Sequence, residues 1–111
     1  MMIELIIKNH LDEKLVEGVY LEKQNEEQVY IVIQKTGGGK SNHLPSATFA
    51  FQSYHKSKFE AAKLNERVKE AVESLIEQDE IRGLSLNSDY DFTDTTTKEY
   101  RYQAVYDIRH Y

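Results

Sequence analysis

The apolar positions change period several times along the chain, and each change marks an element. Between Met2 and Val16 they fall at Met2, Ile3, Ile6, Ile7, Leu11 and Leu15. Steps of three and four predict a helix, which Gly18 ends. Val19–Glu22 reads as a short strand and Gln24–Glu27 as a polar turn. From Val29 to Lys35 the period drops to two: Val29, Ile31 and Ile33 share one face, Tyr30 and Val32 the other. Both faces are apolar, which predicts a central strand. QKTGGGKSNHLP follows, and its glycines, free to take φ > 0, predict a flexible hairpin connection. Ala47–Tyr54 alternates again, with Phe49 and Phe51 on one face and Thr48, Ala50 and Gln52 on the other.

Ser57–Gln78 is the most strongly periodic segment. Ser57 and Glu60 are spaced as a capping box, in which each side chain satisfies an exposed backbone N–H. Leu64, Val68, Ala71, Val72, Leu75 and Ile76 form one stripe, and Glu66, Lys69, Glu70, Glu73 and Glu77 face away. The pattern predicts a helix laid by one face on a sheet. Ile81–Leu86 reads as a strand, and Asn87–Lys98 as a turn-rich loop holding Asp89, Asp91 and Asp94. Glu99–Tyr111 alternates throughout and reads as the last strand, with Tyr100, Tyr102 and Tyr106 on one face and Arg101 and Arg109 on the other. Helix, three strands, helix, two strands, without regular βαβ alternation, predicts one α+β domain over residues 1–111. Its sheet should be mixed or mainly antiparallel, of about four to five strands, packed by an N-terminal helix and one long central helix.

Composition narrows the functions. With 19 acidic against 14 basic residues the formal net charge is −5, which argues against a general nucleic-acid surface. There are no cysteines, so disulfides and thiolate chemistry are excluded, as suits a cytosolic protein. MMIELIIKNH is interrupted by Glu4 and Lys8 and does not read as an export signal. No apolar run approaches the roughly 20 residues that span a bilayer, so no membrane partner is expected.

Gly39, Lys40 and Ser41 fill the last three positions of the phosphate-loop pattern G-x-x-x-x-G-K-[ST], but Gln34 stands where the first glycine belongs. A strand-like VYIVI precedes, as the motif needs, yet a strand-like SATFAFQSY follows where a helix N-terminus should. Nucleotide binding through these residues is therefore an alternative of another class. His10, His43, His55 and His110 form no i, i+4 pair, and Asp89, Asp91 and Asp94 lack the glycine and distal glutamate of a calcium loop; no metal site is predicted. No GxSxG occurs, and Glu66 with Glu70 reads as exposed charge, so no catalytic residue is assigned. The tyrosines at 100, 102 and 106 suit either a sheet face packed under a helix or an interaction surface.

Three segments carry a resemblance: the N-terminal helix leading into VYIVIQKTGG, the strand–link–helix ATFAFQSYHKSKFEAAKLNERVKEAVESL, and the closing YRYQAVYDIRHY. Together they make the chain resemble the small tail-completion proteins of long-tailed bacteriophages and prophages, the tail terminators and head–tail joining minor tail proteins. The resemblance implies a structural protein without enzyme activity or cofactor. It implies a ring, a hexamer, at the head-proximal end of the tail, contacting tail-tube and head-connector proteins, with DNA passing through its lumen without specific binding. A monomer in solution that assembles only on a template fits it too. The location implied is the virion, assembled in the host cytoplasm. Loops in such proteins order on assembly, which points to Thr36, Gly37, Gly38, Gly39, Lys40 and Ser41, and to Asp89, Asp91 and Asp94, as interface residues. The last strand, with Tyr100, Tyr102 and Tyr106, is expected to offer an edge for pairing between subunits. A neck connector or stopper, and a host-encoded α+β adaptor, are the other readings.

Overall fold

A computed structural model describes residues 2–41 and 44–111. Helix α1 (Ile3–Lys14) leads to strand β1 (Gly18–Tyr20), then β2 (Tyr30–Ser41), β3 (Leu44–His55), helix α2 (Lys58–Glu73), a 3-10 turn (Ser74–Glu77), β4 (Ile81–Asp91) and β5 (Tyr100–His110). The five strands form one mixed sheet in the order β1-β2-β3-β5-β4. β1 runs parallel to β2, and every other neighbouring pair is antiparallel. The fold is α+β.

Both helices cover the same face of the sheet, because the period of each element puts its apolar residues there. Ala47, Phe49 and Phe51 of β3 and Ala104, Tyr106 and Ile108 of β5 alternate onto this face and are buried. Leu64, Val68, Val72 and Leu75 from α2 and its 3-10 extension, with Ile3, Ile7 and Leu11 from α1, close the core over them. Ile76, counted in the helix stripe by its spacing, is 53% exposed, because the helix tightens into the 3-10 turn at Ser74 and rotates it outward. Ser57 caps α2 by accepting from the Glu60 N–H at 3.2 Å.

The structure corrects four expectations. α1 ends at Lys14, with Leu15 already extended as its C-cap, and Gly18 begins β1. The Gly37–Gly39 segment is strand: β2 continues through it to Ser41, since β3 supplies a partner for each residue from Gly37 (Thr48) to Ser41 (Leu44). β4 likewise continues past Leu86 to Asp91, paired with β5. β5 is no edge. It lies between β3 and β4 and hydrogen-bonds on both sides. Asn42 and His43, which fall in the predicted connection, lie outside the described residues.

Candidate functional site

The residues singled out from the sequence distribute over two sheet edges and the core. β1 pairs only with Tyr30–Val32, so among the described residues no strand covers the outer side of β2 from Ile33 to Ser41. Gln34–Lys40 are exposed. A bulge between Lys35 and Gly37 bends this half of the strand, and the Thr36 hydroxyl donates to the Thr48 carbonyl at 3.3 Å. Thr36, Gly37, Gly38, Gly39, Lys40 and Ser41 therefore form one open edge of extended backbone.

β4 is the opposite edge, with register shifts between Ile81 and Gly83 and between Leu86 and Ser88. Asp89 points to the helix side, where it accepts from Asn65 Nδ2 at 2.7 Å and Lys69 Nζ at 2.5 Å. Asp91 lies 3.2 Å from Lys58 Nζ and accepts from the Thr93 N–H at 2.9 Å. Hydrogen bonds from Thr93 foremost, then Lys58, hold its carboxyl below the usual range. Asp94 accepts from the N–H groups of Thr96 (2.9 Å) and Thr97 (3.3 Å), which lower its pKa in the same order. Each aspartate is thus satisfied separately, and among the described residues no three His, Asp or Glu side chains are grouped to hold a metal ion.

The three tyrosines of β5 face α2. Tyr106 is fully buried and donates its hydroxyl to Glu73 Oε2 at 2.6 Å, so it belongs to the core and not to an exposed interface. Burial, and then the Glu73 carboxylate, drive its pKa well up. Tyr100 and Tyr102, nearer the sheet end where α2 begins, are half-buried.

The helix-free face holds what the sequence reading missed. Tyr20 meets Tyr30 edge-on at 6.1 Å, Tyr30 stacks on Tyr54 at 4.4 Å, and the Arg101 guanidinium lies 5.6 Å from the Tyr54 ring and 4.5 Å from Phe92. Phe92 in turn meets Tyr90 at 5.9 Å. One row of stacked rings and a cation thus crosses the sheet. Beside it runs a row of amides: Gln52 Nε2 donates to Gln34 Oε1 (3.4 Å) and Gln103 Oε1 (2.9 Å), and Gln103 donates to the Tyr90 hydroxyl. Such rows hold strands in register. Its traces in the sequence are Tyr30 and Gln52, out of phase with Ile31 and Phe51, and Arg101 and Gln103, out of phase with their tyrosine neighbours.

At the end of this face, between the β1–β2 and β4–β5 connections, lies a cleft of about 290 Å³ floored by Tyr30 and Tyr54. Lys23 reaches across to Glu99 at 2.8 Å and ties the two connections together. Glu99 is held below its ordinary pKa mainly by that lysine. Lys98, in the same wall, is the one non-glycine residue with positive φ (58°) among the described residues. His55 in the cleft accepts from the Lys56 N–H at 2.8 Å. In the same wall the Thr97 hydroxyl donates to Glu99 Oε1 at 3.2 Å, the carboxylate oxygen that Lys23 also holds.

No helix among the described residues is long and apolar enough to cross a membrane. No protein-family model matches the chain, and no curated protein matches it.

Proposed function

We propose that the chain is a structural assembly protein that caps the tail tube of a long-tailed phage or prophage particle and forms part of its head–tail junction as a ring. One observation carries this reading: the molecule presents two different open sheet edges on opposite sides, β4 and the outer half of β2. Unlike edges join head to tail, and head-to-tail contacts close into a ring when the rotation per copy divides a full turn. The order helix, three strands, helix, two strands is also the order on which the resemblance rests. On this reading the protein works through contacts with itself, with tube subunits and with the head connector. A net charge of −5 gives a lumen little basic surface with which to grip passing DNA.

Negative-stain microscopy of growing tail tubes tests the proposal. Added chain should sit on tube ends, and tube length should stop increasing even with tube subunits in excess. Tubes that grow on unaffected would remove the terminator reading and leave a neck connector, checked by binding to filled heads. No observation favours nucleotide binding, because Gly37–Lys40 are paired strand residues and strand β3 follows them. A titration with ATP and magnesium is its check.

A further inference from the structure

Apart from Gly37, which borders the bulge after Lys35, the glycines of β2 are demanded by neither backbone conformation nor space in the monomer. None has positive φ. A Cβ on Gly37 would meet nothing within 4 Å, one on Gly39 only the Ser46 hydroxyl at 3.9 Å, and one on Gly38 the Ser46 carbonyl at 3.4 Å and the movable end of the Lys35 side chain at 3.6 Å. Elsewhere the chain uses glycine where space is short: a Cβ on Gly83 would lie 2.6 Å from Arg109 Nη2, and one on Gly18 2.8 Å from the Tyr20 ring. Glycine inside a strand weakens it, and its usual reason is a bulge or the close approach of another backbone. The bulge of β2 precedes Gly37 and leaves Gly38 and Gly39 in regular register with Ala47 and Ser46.

We infer that the Gly37–Gly39 edge of β2 seats strand β4 of a second copy of this chain, continuing the sheet from one molecule into the next. That the occupant is a second copy rests on the ring-assembly reading; three features of the chain itself fit it. First, β4 is the other open edge, and it runs antiparallel to β2 across the sheet, so a neighbour placed in the same orientation pairs antiparallel without turning over. Second, the edges differ in charge. β2 carries Lys35 and Lys40 and no carboxylate, whereas β4 carries Asp89 and Asp91 against Arg82 alone. Two β2 edges would set lysine opposite lysine, whereas an unlike pair brings Lys35 and Lys40 toward Asp89 and Asp91, whose carboxylates are shared with Lys69 and Lys58 in the monomer, so the charges favour the unlike pair. Third, Gly38 and Leu86 lie on the same helix-covered side, opposite Ala47 and Tyr106 respectively. Leu86 is left 48% exposed, and a glycine edge leaves it room. Main-chain hydrogen bonds then give affinity, and the side chains fix the partner.

Sedimentation equilibrium of the intact chain up to about 1 mM, a range that reaches weak contacts, tests this with three variants. Lys35→Glu with Lys40→Glu, and separately Asp91→Lys, should each weaken self-association roughly tenfold or more. An equimolar mixture of the two should restore it, because each acidified β2 then meets a basic β4 while the unaltered edges still match. Misfolded variants would not rescue one another. Gly37→Ala with Gly39→Ala should keep or raise the thermal midpoint while weakening association. Variants that associate like the wild type, a mixture that does not recover, or a wild type monomeric throughout the range would each overturn strand pairing. Tube capping by the same wild type is scored separately, so the ring reading and the edge-pairing inference fail independently.

Discussion

His10 occupies a helix position that the core would give to an aliphatic side chain. It is 4% exposed, and its two nitrogens are committed. The Gln78 amide stands 2.9 Å from Nδ1, and the Ser74 hydroxyl stands 2.7 Å from Nε2. Because the Ser74 hydroxyl already donates to the Ala71 carbonyl at 2.6 Å, Nε2 is the donor and Nδ1 accepts from Gln78: the ring is neutral. Burial, and then Lys14, lower its pKa, against weaker opposing pulls from Glu77 and Glu13. The unfolded chain titrates this ring near the usual ~6.5 and holds more protons than the native state just below that pH. Its contribution is therefore complete above ~6.5 and is lost as pH falls toward the lower native pKa. Urea midpoints should drop between pH 7.5 and 5.5, and His10→Gln should flatten that drop. The carboxylates with lowered pKa, Glu17 through Arg67 above all and Asp91, Asp94 and Glu99, act in the same direction but only below the usual carboxylate range near ~4. Tyr106 makes the companion case. Tyr106→Phe keeps the buried ring and removes the donor to Glu73, for a loss of about 1 kcal/mol. Tyr106→Ala also opens a cavity and should cost about 3–5 kcal/mol, both read by urea unfolding.

At the scale of elements, α2 was legible because cap, stripe and exposed face repeat one message over many residues. Its cap is also a prediction: Ser57→Ala should lower stability by about 1 kcal/mol, and Ser57→Asp should retain it. Thermal or urea unfolding distinguishes the two. The glycine half of β2 was not legible, since residues without side chains show no period, and its extended form is imposed by pairing with Leu44–Thr48. The tail of β4 reads as a loop for a related reason. Asn87–Asp91 is turn-like locally, but β5 pairs it and Asn65 and Lys69, some twenty residues earlier on α2, anchor Asp89. A strand's own alternation also says nothing of its neighbours, so the sequence does not distinguish the last strand from an edge, whereas β4 lies beside it in the sheet. Of the candidate site, both edge segments stand out in the sequence but as loops, and for Tyr106 the sequence leaves a packed sheet face and an interaction surface open, of which its burial under α2 selects the first. The polar row Gln34–Gln52–Gln103 has no signature in any one segment, because its members come from three different strands.

Across the whole molecule, stability should grade from the centre of the sheet to its edges. β3 and β5 are paired on both sides and lie under α2, so amides at Phe49–Ser53 and Ala104–Ile108 open only with the global transition. Outward amides of Gly37–Lys40 and of β4 have no strand partner among the described residues and should exchange within the dead time of a hydrogen-exchange experiment on the monomer. Assembly should then change these two segments together, while the centre stays as it was. The shape of the exchange carries more than its extent. In a closed ring every copy uses both edges, so each segment exchanges as one protected population. In an open chain the terminal copies leave one β2 edge and one β4 edge bare, and both segments split into fast and slow fractions whose ratio counts the copies. Protection of β2 without protection of β4 would mean that another protein occupies the glycine edge. Protected single populations at both edges, on particles that cap tubes, would tie the closed ring to the unlike edges of one small sheet.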